Sequence, residues 1–315
     1  MTNYLVPVGV PVIDEVMETV LQRLQSDRSQ LEYLRDVKTF AAFLGERGLT
    51  HATNITYADM IAYQHYLGEE NEEGKRRSPR RINRMFTVAR QVLDVQRRMG
   101  VISYNPAESV KPLKISEDDS PHIALDDNEA LQLLEAIDTS TKYGKQEYAV
   151  MSLLLRTGLR RAECAALKVG NIDMDRGHYI IRVTGKGGYR DTIKLPVDVK
   201  RYIQEWLDAS ERKNLTLESP LFVGFDRGDH PTEKQINPKW IERMVLKYAE
   251  KIGRRFTPHS LRATFITLAL EHNATLTQVQ YAARHKDPRQ TEHYQRRKLN
   301  LDDNAVDKLA FLSRK

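Results

Sequence analysis

Apolar residues recur at helical spacing in two stretches of the first hundred residues. The two stripes are Leu34, Val37, Ala41 and Leu44, and then Ile82, Phe86, Ala89 and Leu93. Steps of three and four residues place each set on one face of a helix, which then has an apolar face to bury. Another helix is expected after Thr56, and the second stripe ends before Gly100. The pattern predicts a helical bundle over residues 1–110.

The second half of the chain begins with helical patterns and then changes period. Helices are expected over residues 126–137, 147–156 and about 160–167. β-branched residues then flank a glycine-rich turn in the segment HYIIRVTGKGGYRDTIKLP, which is typical of a β-hairpin. The polar segment KPLKISEDDSPHIA, residues 111–124, has the composition of a linker. We therefore expect a mainly α chain with a small antiparallel β-sheet, which lies in a mixed α/β domain over residues 125–315.

Length and composition set the class of protein. The 315 residues suffice for about two domains of ordinary size, and 40% of them are hydrophobic, enough to fill a core in each. No apolar stretch approaches the roughly 18 residues of a membrane span, and the N-terminus lacks the features of a signal peptide. These features predict a soluble, cytoplasmic protein with no membrane partner. The one cysteine, Cys164, lies among small residues and is expected to be buried packing.

Basic residues are concentrated in one predicted helix. The net charge is +6, which favours an anionic partner, and the segment from Lys75 to Arg98 contains Asp94 as its only acid. Arg80 and Arg84, one turn apart, fall on a face separate from the apolar stripe. Because a solvated face normally mixes signs, we expect this helix to contact a phosphate backbone. The candidate DNA-binding residues are Arg76, Arg77, Arg80, Arg81 and Arg84.

Six further side chains in the second half have the chemistry that phosphoryl transfer requires. They are Arg160 in TGLRRAEC, Lys186 in TGKGGYR, His259 and Arg262 in TPHSLRATF, His285 in ARHKD and Tyr294 in TEHYQRR. Two guanidiniums can bracket a phosphate, and a phenol can attack phosphorus. An ammonium and two imidazoles can donate or accept the protons that move.

Two helix starts place the histidines. Thr257 followed by Pro258 is typical of an N-cap and first turn, so the His-x-x-Arg pair should lie on the opening turns of a helix. Such a terminus offers unpaired N–H groups and a positive dipole to an anion. Thr275 with Gln278 is a capping box that predicts the start of the helix leading to His285.

Each of these residues also has an ordinary explanation. An exposed lysine on a turn would explain Lys186 by itself equally well, and a surface His-x-x-Arg is frequent by chance. The glycine-rich turn is not a P-loop, because Ile180 stands where its first glycine belongs and Gly187 where Ser or Thr must follow the lysine. The remaining histidines, including His272 and His293, do not form a cluster with zinc-ligand spacing, so no metal is expected.

The order and local spacing of these residues resemble the tyrosine recombinase (phage integrase) family. In that family an arginine opens a helix after Thr-Gly-Leu and a glutamate follows three residues later, which matches Arg160 and Glu163. A lysine in a glycine-rich β-turn, a His-x-x-Arg motif and a histidine nine residues before the nucleophilic tyrosine follow in the same order. Two departures stand out. Ala263 lies where many members carry a second histidine, and Ala283-Arg284 replaces the usual Leu-Gly.

The resemblance implies a domain organisation. Residues 1–110 correspond to a helical core-binding domain whose last helix runs into an Asn-Pro-Ala segment, here Asn105 to Ala107, and residues 125–315 to a catalytic domain. The two domains would form a clamp around DNA, and residues 1 to about 25 would be an addition to the simplest members. After the tyrosine, Leu301, Ala305, Leu309 and Leu312 lie at helical spacing.

The same resemblance implies partners. In the family such a tail helix docks on a neighbouring protomer within a DNA-bound tetramer; docking in cis is the alternative. The implied partners are double-stranded DNA with an inverted-repeat recombination site, a homo-tetramer formed by exchange of the C-terminal helix, and accessory DNA-bending proteins.

The resemblance also implies a mechanism. Tyr294 would attack a scissile DNA phosphate, giving a covalent 3′-phosphotyrosyl intermediate and a free 5′-hydroxyl. Arg160 and Arg262 would neutralise the non-bridging oxygens, and Lys186 would protonate the leaving 5′ oxygen.

The histidines and the glutamate have supporting roles in this scheme. His259 would assist at the tyrosine proton, His285 would bond the phosphate, and Glu163 would orient basic groups. No metal or other cofactor is implied. The expected function is site-specific DNA recombination through a Holliday junction, whether for integration, excision or resolution. The alternatives are a type IB topoisomerase-like enzyme and a DNA-binding protein that has lost catalysis.

Overall fold

The computed structural model describes residues 10–21, 27–70, 74–115, 123–184, 190–285, 287–288 and 291. The chain divides into two compact units, Met1–Ser120 and Pro121–Lys315. The boundary falls inside the segment 111–124, whose composition is that of a linker. Each unit has an apolar core of its own.

Among its described residues, the first unit has helices as its regular elements and no β-strand. Its helices are α1 (Pro11–Leu21), α2 (Asp27–Glu46), α3 (Tyr57–Gly68) and α4 (Pro79–Arg98), with a 3-10 turn at Ala52–Asn54. Thr56 caps α3 as expected, since its hydroxyl accepts a hydrogen bond from the Asp59 amide while the Asp59 carboxylate accepts one from the Thr56 amide. The helices predicted at α2, α3 and α4 are confirmed, whereas α1 was not predicted.

Helix α4 forms the centre of the first core, because it packs against α1, α2 and α3. Its predicted apolar stripe from Ile82 to Leu93 is at most 4% exposed. Tyr63 of α3 lies between Phe40 of α2 and Phe86 of α4, with ring centroids 4.8 and 6.1 Å away. Burial of this stripe leaves the arginines of α4 on the remaining faces of the helix.

The chain leaving α4 stays bonded to the helical unit. Asn105 donates a hydrogen bond from Nδ2 to the carbonyl oxygen of Arg90, 2.9 Å away. The Asn83 side chain bonds both the amide and the carbonyl of Leu113, at 2.8 and 2.9 Å. The start of the segment assigned to a linker, residues 111–113, is therefore fastened to the first unit.

The second unit combines helices with two small antiparallel sheets. The helices are α5 (Asp127–Glu135), α6 (Lys142–Thr157), α7 (Arg161–Ala165), α8 (Val197–Ser210), α9 (Pro238–Lys251), α10 (Pro258–Glu271) and α11 (Leu276–Ala283). The strands are β1 (Ile172–Asp175), β2 (His178–Thr184), β3 (Arg190–Lys194), β4 (Val223–Phe225) and β5 (Pro231–Gln235). One sheet has the order β1-β2-β3 and the other pairs β4 with β5. The predicted class, mainly α with a small antiparallel sheet, is confirmed.

The predicted hairpin is the pair β2 and β3. Ile181 lies opposite Ile193, and both are buried, so one face of the hairpin contributes to the core. Strand β1 extends this sheet and was not predicted. It has four residues, of which only Ile172 is partly buried, so it contributes little to the core. Helices α8 and α9 were not predicted either.

Helix α6 is the central element of the second core. It packs against α8, α10, α5 and α9, and residues 149–155 are at most 7% exposed, so this apolar run is a helix buried on all sides. Cys164 is also fully buried, and burial raises the pKa of its thiol far above the ordinary value, as expected for a packing residue. Within the described ranges, no helix has both the length and the apolar character needed to span a bilayer.

Candidate active site

Helix α10 begins where the sequence predicts, with Thr257 as N-cap and Pro258 as its first residue. The Thr257 amide donates a hydrogen bond to Oγ of Ser260, 3.2 Å away. His259 lies in the first turn and is exposed, whereas Arg262 in the next turn is only 3% exposed. One helix start therefore carries both residues of the His-x-x-Arg motif.

The Arg262 guanidinium is bonded to the ends of two other helices. Nη1 donates to the carbonyl oxygen of Gly158 at the end of α6, 2.6 Å away, and Nη2 donates to the carbonyl oxygen of Ala283 at the end of α11. The last carbonyls of a helix lack intrahelical partners and carry its negative dipole, so they are good acceptors for a cation. Arg262 thereby fastens α6, α10 and α11 around one positive charge.

Arg160 is the N-cap of α7, two residues beyond Gly158. Its backbone amide and its Nη1 both donate to the Glu163 carboxylate, each over 2.9 Å. The Glu163 side chain is 8% exposed and that of Arg160 is 48% exposed. The carboxylate therefore holds one edge of a guanidinium that is otherwise accessible. The neighbouring Arg161 pairs instead with Glu242 of α9.

The turn after α11 carries two more residues of the cluster. Arg284 caps α11 with a left-handed backbone, φ 56°, and its Nη2 donates to Oε2 of Glu163, 2.7 Å away. Nδ1 of His285 lies 2.8 Å from Oγ1 of the buried Thr291, and the His285 amide donates to the Gln280 carbonyl. Arg284 adopts the backbone that a glycine would adopt at this position, so the turn that presents His285 forms without one.

The two imidazoles lie in the electrostatic field of the arginines. Desolvation, followed by the charges of Arg262 and Arg160, lowers the pKa of His285 to about 4. The same three causes, in the same order, lower the pKa of His259. Both rings are therefore neutral at about pH 7, each with one N–H donor and one acceptor nitrogen. The structure thus brings four of the six predicted residues into one cluster.

The other two predicted catalytic residues, Lys186 and Tyr294, lie outside the described residues. The segment that contains Lys186 joins β2 to β3. Thr291, which is described, precedes Tyr294 by three residues and bonds His285. The predicted tail helix at residues 301–312 also lies outside the described residues.

Two arginines of α4 pair with acids of the neighbouring helix. Arg81 and Arg84 lie 3.1 and 2.8 Å from the Asp36 carboxylate, whose side chain is 1% exposed. Arg84 also pairs with Glu32 at 3.0 Å. Acids of α2 therefore partly neutralise the basic face of α4, and contact of this face with a phosphate backbone stays a prediction.

The remaining three arginines of the proposed DNA-binding set are placed differently. Arg76 pairs with Glu70 over 3.1 Å, with both side chains more than half exposed. Arg77 donates to the carbonyl oxygen of Leu67. Arg80 is exposed and makes no ion pair with any residue that the structure describes. The charge of Arg80 is thus not compensated by an acid among the described residues and is available to a phosphate.

Sequence reasoning missed three residues that hold this cluster together. Arg284 stood out only as a departure from a family motif, and Thr291 carried no signal of its own. Gly158 did carry one, since a glycine directly after a helical stretch is typical of a left-handed C-cap. Across the described parts of the chain, no group of three or more His, Cys, Asp or Glu side chains is placed to hold a metal ion.

Known proteins share this sequence pattern. Residues 124–300 match the profile of the phage integrase family. The chain is 29% identical over 293 residues to tyrosine recombinase XerC of Pelobacter propionicus, which covers 88% of this chain and 91% of that protein. It is 27% identical over 285 residues to tyrosine recombinase XerD of Neisseria meningitidis serogroup B, covering 90% and 92%. Tyrosine recombinase XerS of Streptococcus gordonii is 25% identical over 320 residues, covering 98% and 86%.

Solved structures share the fold. The XerH site-specific recombinase bound to a palindromic difH substrate matches with a TM-score of 0.69 at 18% identity, over 95% of this chain and 85% of that one. A lambda integrase dimer bound to a COC′ core site matches with a TM-score of 0.68 at 17% identity, over 94% and 98%. At such identities the likeness concerns the path of the chain.

Proposed function

The chain belongs to the phage integrase family and is a site-specific tyrosine recombinase, which cleaves and rejoins DNA strands, and we propose that the cluster around Arg262 is its catalytic site. The proposed catalytic residues are Tyr294, Arg160, Lys186, His259, Arg262 and His285, with Glu163 in a supporting role. The main support is that two guanidiniums and two imidazoles lie close enough together for the charges of Arg262 and Arg160 to lower the pKa of both histidines.

The two arginines bind the scissile phosphate. Arg262 is held by helix-end carbonyls before DNA arrives, so its charge needs little reorganisation when negative charge grows on the phosphate. Arg160 is anchored on one edge by Glu163 and has an accessible edge for a non-bridging oxygen. Preorganised donors of this kind contribute about 3 kcal/mol each to transition-state stabilisation.

Tyr294 is the nucleophile of the proposed reaction. Its oxygen attacks phosphorus in line, the new phosphotyrosyl bond replaces the bond to the 5′ oxygen, and Lys186 gives that oxygen its proton. Attack of a free 5′-hydroxyl from another strand on the 3′-phosphotyrosyl bond reverses these steps and rejoins DNA. Two such exchanges, separated by a Holliday junction, complete recombination.

The histidines act as neutral imidazoles. A lowered pKa leaves His259 unprotonated at about pH 7, so it can accept the phenolic proton of Tyr294. The Nδ1 contact with Thr291 directs the other ring nitrogen of His285, Nε2, to donate to a phosphate oxygen.

DNA is the substrate, and the arginines of α4 add contacts to its backbone. Arg80 is exposed and Arg76 and Arg77 lie beside the start of the same helix, so they give the first unit a basic edge. We further propose that the protein acts as a homo-tetramer on an inverted-repeat site, with the tail at residues 301–312 exchanged between protomers. Accessory DNA-bending proteins fit this scheme as additional partners.

The test of the site is covalent capture. Wild-type protein, Tyr294→Phe and the matched control Tyr281→Phe, which alters a tyrosine of α11 that is 80% exposed, are incubated with a randomised library of nicked duplexes. Covalent adducts are isolated under denaturing conditions and the captured DNA is sequenced. The proposal predicts adducts from wild type and Tyr281→Phe alone, converging on an inverted repeat.

Each other outcome has a defined meaning. Adducts from Tyr294→Phe would exclude Tyr294 as the nucleophile. Adducts without a consensus would indicate a topoisomerase-like enzyme acting on general duplex. No adducts from any of the three proteins would indicate either a DNA-binding protein without catalysis or a recombinase that requires an accessory partner.

A further inference from the structure

Arg284 occupies a backbone conformation that residues with a Cβ rarely adopt. It caps α11 with φ 56° and ψ 46°, and its amide donates to the Tyr281 carbonyl over 3.0 Å. A glycine would adopt this conformation without strain. The side chain of Arg284 must therefore make contacts that offset the strain.

The main contact of that side chain is with Glu163. Nη2 of Arg284 lies 2.7 Å from Oε2 of Glu163, and both side chains are 8% exposed. Nε and Nη1 of Arg284 are buried as well, and neither has a hydrogen-bond partner among the described residues. Glu163 is thus the counter-ion of a guanidinium that water barely reaches.

The same carboxylate holds Arg160. Oε1 of Glu163 accepts from Nη1 of Arg160, and Oε2 accepts from its backbone amide, each over 2.9 Å. One carboxylate therefore lies between a buried guanidinium and one that is 48% exposed. Because Arg284 shares the charge of Glu163, the carboxylate can fix Arg160 without cancelling its attraction for phosphate.

Arg284 also fastens the segment that carries His285. The carbonyl of Ala283 accepts from Arg262, and the next residue reaches Glu163 on α7. Residues 283–285 are consequently tied to α10 on one side and to α7 on the other.

We propose that Arg284 is a positioning residue for DNA cleavage, which holds Glu163 between two guanidiniums and thereby fixes both Arg160 and the turn that presents His285. This inference rests on the proposed catalytic site. Arg284 itself contacts neither DNA nor the reacting atoms. Its effect is on the rate of the chemical step and not on the affinity for DNA.

Two substitutions of Arg284 that have the same backbone strain test the contribution of its ion pair with Glu163. Arg284→Met and Arg284→Lys both keep a long side chain at a left-handed position, but only lysine keeps a cation. The probe is the nicked duplex that dominates the wild-type adducts. The rate constant of adduct formation at saturating duplex and the duplex concentration giving half that rate are measured for each protein, with thermal unfolding recorded alongside.

We expect the rate constant of adduct formation to change while the half-saturating duplex concentration does not. Arg284→Met should slow adduct formation by about 30-fold, because a misplaced catalytic group costs up to about 10² in rate. The half-saturating concentration should stay within about threefold of wild type, since Arg284 makes no DNA contact. Arg284→Lys should recover the larger part of the rate. Three results would overturn the proposal. Arg284→Met could form adducts at the wild-type rate, or it could change only the half-saturating concentration. Arg284→Met and Arg284→Lys could also lose the same factor in rate.

A double variant covers the case in which Arg284→Met does not fold. Arg284→Met alone leaves the buried Glu163 carboxylate with only the half-exposed Arg160 as its counter-ion. Adding Glu163→Gln removes that buried charge as well, so the double variant should lose less stability than the single one. Under the proposal the double variant forms adducts slowly at unchanged half-saturation, because Arg160 has lost its charged anchor. A wild-type rate from the folded double variant would refute the positioning role. Adducts from wild type in the same assay keep this outcome separate from a failure of the proposed catalytic site.

Discussion

Arg262 donates a hydrogen bond to the carbonyl oxygen of Gly158 over 2.6 Å, across 104 residues of sequence. Gly158 ends α6 with a left-handed backbone, φ 60°, and Arg160 follows two residues later as the N-cap of α7. Arg262 is therefore bonded to the residue at which the chain turns towards Arg160. The two arginines of this recombinase form a single geometric unit.

Gly158→Ala should damage both the fold and the chemistry. The new Cβ would lie 2.5 Å from Cδ1 of Phe265, and the residue would keep a positive φ. A positive φ costs about 1 kcal/mol for alanine, and overpacking adds about 1–3 kcal/mol. We expect a loss of about 2–4 kcal/mol in urea unfolding and at least about tenfold slower adduct formation, because the Arg262 acceptor moves.

Gly177→Ala is the matched control for that variant. Gly177 also has a positive φ, 79°, but a Cβ there would meet nothing within 4 Å. The free energy of unfolding of Gly177→Ala should decrease only by the cost of a positive φ for alanine, about 1 kcal/mol, and the variant should cleave DNA at the wild-type rate. Equal decreases in the free energy of unfolding of the two variants would show that the close contact with Phe265 does not destabilise Gly158→Ala.

Thr291→Val should slow cleavage while keeping a β-branched side chain of similar shape. Thr291 is fully buried, and its Oγ1 lies 2.8 Å from Nδ1 of His285. Valine removes the hydroxyl, which leaves a partly buried ring nitrogen without its partner and costs about 1–2 kcal/mol of stability. The imidazole would also lose its fixed orientation, so we expect about tenfold slower adduct formation. Thr291→Ser keeps the hydroxyl and should stay near the wild-type rate; equal rates for the two variants would exclude the orienting role.

Much of this site is predictable because its local parts are encoded locally. The start of α10 at Thr257 and the β2–β3 hairpin follow from cap and turn residues within a few positions of one another. The contacts between parts are a different matter. Arg284 meets Glu163 across 121 residues, and nothing in either local sequence indicates the other.

The arginines of α4 are a second case in which the local sequence does not reveal the contacts between helices. The sequence of the helix itself suggested one sign of charge, since Asp94 is its only acid. The acids that pair with these arginines come from α2. Asp36 precedes Arg81 by 45 residues, and Glu32 precedes Arg84 by 52 residues. Tertiary packing therefore decides which basic residues remain accessible to DNA.

Stability should fall as the pH is lowered through the range in which His285 resists protonation. Its pKa is about 4 in the folded protein and near its ordinary value of 6.5 in the unfolded chain. Between these values the unfolded state binds more protons, so the free energy of unfolding rises with pH and decreases as pH falls. After allowance for solvent screening, the loss from about pH 7 to about pH 5 should be about 1 kcal/mol from this group.

Urea unfolding of wild type and His285→Gln at both pH values measures that contribution. Carboxylates titrate in both proteins and cancel in the difference, so the variant should lose about 1 kcal/mol less than wild type. His178→Gln, at an exposed position of β2, is the control and should lose as much as wild type. If His285→Gln loses as much as wild type, the imidazole is not desolvated in the folded protein.

The arginines of α4 should separate into residues that hold the fold and residues that contact DNA. Arg84→Gln leaves the buried Asp36 with only Arg81, so we expect a loss of about 1–3 kcal/mol in urea unfolding. Arg80 has no ion pair with any described residue, so Arg80→Gln should stay within about 0.5 kcal/mol of wild type.

The salt dependence of DNA affinity should be affected more by Arg80→Gln than by Arg84→Gln. For Arg80→Gln we expect the slope of log affinity against log salt concentration to be smaller by about 1. Arg84→Gln should leave that slope closer to wild type, because Asp36 and Glu32 already compensate its charge. A larger change of slope for Arg84→Gln than for Arg80→Gln would mean that DNA displaces the acids of α2 from Arg84.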